Sequence, residues 1–134
     1  MEDILFLSMD DVLLLHTDTI DIDGGSHGVR DHGLLDAAVA MPRQQFGGDY
    51  LHEDFPAMAT AYMFHIAQNH PFVDGNKRVA FLSIGLFLAL NGYRLKVDQV
   101  SATQVMFAAA AGELEEKALA AWIRTSMSAN QLAD

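Results

Sequence analysis

No cysteine occurs anywhere in the 134 residues. That one absence removes disulfides, thiolate zinc sites and cysteine nucleophiles together. Basic residues are scarce as well: 8 Lys and Arg stand against 18 Asp and Glu, a formal charge of −10. A surface so short of positive charge is poorly suited to displacing the cations around a phosphate backbone, which argues against general DNA or RNA binding. Long apolar runs are missing too. The longest, Val79 to Leu90, is interrupted by Ser83 and Gly85 and falls short of the roughly 20 residues of a membrane span. Met1, Glu2 and Asp3 stand where a secretory leader would carry positive charge, so export and membrane insertion are not expected.

What is present is core material: 51% of the residues are hydrophobic and 19% charged, enough to support a compact fold and too apolar for intrinsic disorder. Ser8 can cap a first helix with Asp10 and Asp11 in its first turn, extended by Leu13, Leu14 and His16. Asp21 to Gly28 reads as a turn-rich loop. A second helix starts near Asp31, runs through Val39 and stops before Pro42. Gln44 to Pro56 reads as a loop. Ala59, Tyr62, Met63 and Ile66 then mark the stripe of a third helix, which ends near Asn69 because Pro71 disfavours helical geometry at His70.

A fourth helix, about 75–91, is apolar nearly all round and is expected at the centre, with Gly92 as its stop. Tyr93 to Val100 reads as an extended connector. Ser101 and Gln104 have the spacing of a capping box for a fifth helix ending at Gly112, and a sixth spans about Leu114 to Met127. Nothing repeats and no linker divides the chain. The expectation is therefore one all-α domain, 1–134, of about six helices.

One segment does not read as packing material: His70-Pro71-Phe72-Val73-Asp74-Gly75-Asn76-Lys77-Arg78. A glycine opening a helix lets a ligand approach the backbone, and the free N–H groups of the first turn form an anion site suited to phosphate. Lys77 adds a compact charge and Arg78 a planar fork. Asp74 beside such a cradle would repel phosphate unless a cation intervened, and Mg²⁺ commonly combines one or two carboxylates with substrate phosphates. His70 is the one group here able to exchange a proton near neutral pH. The plain alternative is a turn with Lys77 and Arg78 in solvent and His70 closing a helix; nine positions acting together argue against it. Phe72 is expected to anchor the loop in the core.

This segment resembles the signature of the Fic/Doc superfamily, HxFx(D/E)(A/G)N(G/K)R, with Lys77 in the form of its Doc, or death-on-curing, branch. Gly28 to Pro42, Phe46 to Leu51 and Phe87 to Leu95 follow the order seen in Doc-like proteins. The resemblance implies a compact Fic-like helical fold and a bacterial, cytoplasmic toxin of a toxin–antitoxin pair. By position it makes His70 the base and Asp74 the magnesium ligand, with Gly75, Asn76, Lys77 and Arg78 as the phosphate cradle. The implied reaction is transfer of the γ-phosphate of ATP to a threonine of elongation factor Tu, which stops translation.

Most Fic proteins instead transfer AMP. Lys77 where those members have Gly, and Phe81 where they have a second arginine, weaken that reading. A non-catalytic helical binding module is the alternative of another class. The chain also lacks the (S/T)xxxE(G/N) inhibitory pattern, so control is expected from a small external antitoxin. Because 8 of the first 31 residues are acidic against Arg30 alone, a basic one would be steered to it.

Two other patterns carry nothing. Aligning Gly24 to a calcium loop puts Arg30 where a bidentate Glu is required. His65 and His70 are spaced five apart, wrong for zinc on one helix face, and His65 reads as a surface or packing residue. The seven Met residues and the Trp122 face read as core.

Overall fold

A computed structural model describes residues 3–130. The chain folds as six helices: α1 Met9–Asp23, α2 His32–Ala40, α3 Phe55–Asn69, α4 Asn76–Leu90, α5 Gln99–Ala110 and α6 Glu116–Ser126. A 3₁₀ turn, Met41–Arg43, closes α2. Two small antiparallel pairs complete the fold, β1 Gln45–Phe46 with β2 Asp49–Tyr50, and β3 Tyr93–Leu95 with β4 Met127–Ala129. The all-α class is as expected. No helix among the described residues is long and apolar enough to cross a membrane.

Local chemistry sets most helix starts. Ser8, Asp31, Asp54 and Asp98 each accept a backbone N–H in the first turn of α1, α2, α3 and α5. At α1 the exchange is reciprocal, since the N–H of Ser8 also donates to Asp11. Partial burial opposes ionisation of Asp54, but the Arg124 guanidinium and the Ala57 N–H outweigh it and hold this carboxyl below its ordinary range. That pair ties the start of α3 to α6.

α3 and α4 are the most extensively packed pair. α4 does lie at the centre, but α3 shares that place: every residue from Met58 to Phe64 is buried, whereas Leu82 and Leu90 of α4 are exposed. Polar residues tolerate these positions by bonding within their own helix, Thr60 to the Pro56 carbonyl and Ser83 to that of Ala80. Tyr62 reaches across the core to accept the Leu7 N–H at 2.8 Å, and burial pushes its hydroxyl up to about 12.

Several boundaries differ from the sequence reading. α1 runs on to Asp23, so the expected loop at Asp21 begins only at Gly24. The stretch read as loop after Gln44 contains the β1–β2 hairpin, turned at Gly47 and Gly48. Asp98, not Ser101, caps α5; Ser101 lies inside the first turn, where its N–H and hydroxyl both donate to Asp98. Met127 leaves α6 to pair with Leu95, because β3 offers it an open edge.

Candidate functional site

The loop 70–75 joins the two central helices, and its shape follows from three residues. His70 ends α3 in the left-handed region, φ 51° and ψ 52°, which reverses the chain at Pro71. Phe72 is fully buried, the anchor its sequence position suggested. Gly75 precedes α4 at φ 80°, where a Cβ would also lie 3.2 Å from Ile20 Cδ1.

Asn76 locks this turn from inside. Its Oδ1 accepts the Phe72 N–H at 2.9 Å, and its Nδ2 donates to the Phe72 carbonyl at 2.9 Å and to His70 Nδ1 at 3.0 Å. The carboxamide is thus buried and fully engaged. Of the residues assigned to a phosphate cradle, Asn76 can contribute only its backbone N–H.

Around that core, one cavity of about 350 Å³ is lined by His70, Asp74, Gly75, Asn76, Lys77 and Arg78, with Val73, Met106 and Phe107 as its apolar wall. All six candidate site residues therefore meet in one place. No side chain caps the start of α4, so the first-turn amides at Asn76, Lys77 and Arg78 lie outside the helix's own ladder. Lys77 Nζ stands 5.9 Å from the Phe107 ring centroid, within cation–π range. Arg78 donates through Nε to Asp23 Oδ2 at 2.9 Å.

Asp74 is exposed, and its Oδ2 accepts the Ser26 N–H at 2.7 Å. One carboxylate beside an anion cradle suits Mg²⁺, which is held by one or two carboxylates plus substrate phosphates. Among the described residues no group of three or more His, Cys, Asp or Glu could hold a metal alone, so water and phosphate oxygens would complete such a site.

Several supporting residues escaped the sequence reading. His16, buried on α1, stacks on Phe72 with centroids 3.9 Å apart and planes 5° from parallel. Its Nε2 lies 2.8 Å from the Asp74 carbonyl; a carbonyl only accepts, so His16 carries its proton there. Arg30 donates to the carbonyls of His70 (2.6 Å) and Asn69 (2.8 Å), satisfying the open end of α3. Backbone bonds add to this clamp, with Arg30 and Asp31 N–H on the Pro71 carbonyl and Val73 N–H on that of Gly28. Gly25 holds φ 111°, a backbone that side-chain-bearing residues rarely adopt, and a Cβ there would lie 3.3 Å from Ile20 Cδ1 and touch Asp74 Cβ at 3.4 Å. Only the Gly-rich spacing before Arg30 hinted at such an approach.

His65 lies outside the site. It is half-buried, and burial pushes its pKa down, in keeping with a packing role.

Residues 6–88 match the family model described as the Fic/DOC family. Over 75 residues, 56% of the chain, the sequence is 44% identical to the toxin Doc of Mycolicibacterium smegmatis, and that stretch spans 58% of the relative's own length. Over 118 residues it is 30% identical to the protein kinase doc of Escherichia phage P1, covering 88% of this chain and 92% of the phage protein.

Proposed function

This chain belongs to the Fic/DOC family, and from that premise we propose that it is a Doc-like toxin kinase. It transfers the γ-phosphate of ATP to a protein hydroxyl, a threonine of a translation factor such as elongation factor Tu, and so inhibits translation in the bacterial cytoplasm. A small antitoxin that covers the site restrains it. The observation that carries this reading is the convergence of His70, Asp74, Lys77 and Arg78 on one cavity at the uncapped start of α4.

The first-turn amides, Lys77 and Arg78 bind and orient the phosphates, where charge spreads over the oxygens of the group in transit. Asp74 would hold Mg²⁺, which when bound neutralises phosphate charge. The target oxygen attacks the γ-phosphorus, the bond to the bridging oxygen breaks, and ADP leaves. The hydroxyl proton passes to His70. For Nε2 to receive it, the ring's own proton must sit on Nδ1, so Asn76 has to release Nδ1 as the substrates bind.

Incubating the purified chain and a bacterial lysate with ATP labelled at either end tests the reading. Label should reach a protein from γ-labelled ATP alone, and a His70→Gly chain should transfer none. Label arriving from the α-position identifies AMP transfer, the second activity known in the family, and overturns the kinase reading.

A further inference from the structure

We propose that Asp23 is a positioning residue for phosphate transfer, holding Arg78 by one edge so that the other faces the phosphates. The proposal rests on the phosphotransfer reading above. Asp23 and Arg78 are 55 residues apart in sequence and meet through a single contact, Arg78 Nε to Asp23 Oδ2 at 2.9 Å. The Nη groups have no hydrogen-bond partner among the described residues, and Arg78 lines the cavity with His70 and Asp74. A carboxylate standing in for phosphate would take the fork in two parallel bonds. One bond at Nε is what a support makes.

Helix stability does not account for Asp23. It is the last residue of α1, where the dipole disfavours negative charge, and that turn contains no basic side chain. The N–H of Gly24 already bonds back to Ile20, so the helix end is closed without it. The pair is also half-exposed, with side-chain exposures of 48% for Arg78 and 39% for Asp23. Such a contact adds little to folding. Its consequence lies in geometry.

α1 and the turn that follows it also fix a second charged group of the site, Asp74. His16 holds the Asp74 carbonyl at 2.8 Å, and Ser26, just past Gly24 and Gly25, donates to the Asp74 carboxylate at 2.7 Å. With Asp23 on Arg78, one segment of the chain sets the spacing between the carboxylate and the guanidinium. Small displacements of such groups are costly, because transfer depends on aligned reacting atoms.

A double-mutant cycle tests the assignment, reading ATP affinity, kcat and KM for phosphate transfer, and the melting temperature. Asp23→Ala should lower kcat/KM about tenfold, mainly through kcat, as expected for misalignment. Asp23→Asn, whose amide oxygen can accept the same N–H, should stay within about threefold of the parent, the scale of an exposed ion pair. In an Arg78→Ala chain, Asp23→Ala should cost nothing further, and neither Asp23 variant should melt below its parent. Three results would overturn the proposal: unchanged transfer in Asp23→Ala, tighter ATP binding or faster transfer in that variant, or losses that simply add in the double variant. A parent chain that transfers no phosphate from ATP would sink the kinase reading and this inference together, whereas an active parent with additive losses removes the role of Asp23 alone.

Discussion

Asn76 Nδ2 lies 3.0 Å from His70 Nδ1, and this contact fixes where the imidazole keeps its proton. The carboxamide cannot turn round, because its oxygen is already committed to the Phe72 N–H and its nitrogen to the Phe72 carbonyl. An amide nitrogen only donates, so Nδ1 must accept, and the neutral ring of the free chain holds its proton on Nε2.

Nitrogen NMR of the free chain, at a pH where the ring is neutral, should therefore show the Nε2–H form for His70. Adding ATP with magnesium and a target should move it toward Nδ1–H. Asn76→Ala should weaken the preference and also loosen the loop. A free chain already in the Nδ1–H form would contradict the arrangement.

His70→Gly should abolish transfer with little loss of stability. Glycine adopts the left-handed backbone that His70 holds and relieves the roughly 1–2 kcal/mol of strain that a Cβ bears there, strain that alanine would keep. Removing a general base typically costs about a hundredfold to ten-thousandfold in rate. A folded His70→Gly chain with parental transfer would remove the histidine from the chemistry.

Gly75→Ala combines two penalties, a positive φ of 80° and a Cβ placed 3.2 Å from Ile20 Cδ1. The isoleucine tip can move slightly, so the chain should fold but melt lower. ATP should bind more weakly because the first turn of α4 shifts. Unchanged affinity would mean that the amides of this turn do not hold phosphate.

His16→Phe keeps an aromatic ring on Phe72 but removes the bond to the Asp74 carbonyl. Magnesium-dependent ATP affinity should fall while magnesium-free affinity holds, since only the placement of Asp74 is affected. Equal losses with and without magnesium would assign His16 to packing alone.

Tyr62 gives a prediction in the alkaline range. Burial raises its hydroxyl to about 12 from the ordinary 10, so the folded state keeps a proton that the unfolded state loses. The associated stability is present below about pH 10 and is lost as pH rises toward 12. Tyr62→Phe should flatten that alkaline decline in chemical denaturation. At neutral pH it should cost about 1–3 kcal/mol, because the buried Leu7 N–H loses its acceptor.

The sequence disclosed what depends on neighbours along the chain. Caps at Ser8 and Asp31, the break before Pro71 and the glycine opening α4 are local events, and the structure has them. The convergence of His70, Asp74, Lys77 and Arg78 followed from a contiguous motif. Hidden were partners 40 to 58 residues apart, such as Arg30 with His70 and His16 with Asp74. No spacing rule encodes those. The end of α1 was hidden for a related reason: Asp21 and Asp23 argue locally against a helix, and only Arg78 across the fold explains the second of them. β4 escaped because three residues carry no period and acquire strand form only beside β3.

Both ends of the described chain return to the same place. Asn91, just past α4, exchanges two hydrogen bonds with Leu5, while β4 pairs with Tyr93–Leu95. α4 has 15 residues, so at 1.5 Å each about 22 Å separates this junction from the cavity at its other end. A fluorophore, affinity handle or fused reporter attached beside Leu5 or Ala129 would thus sit remote from the cavity and leave its mouth unobstructed.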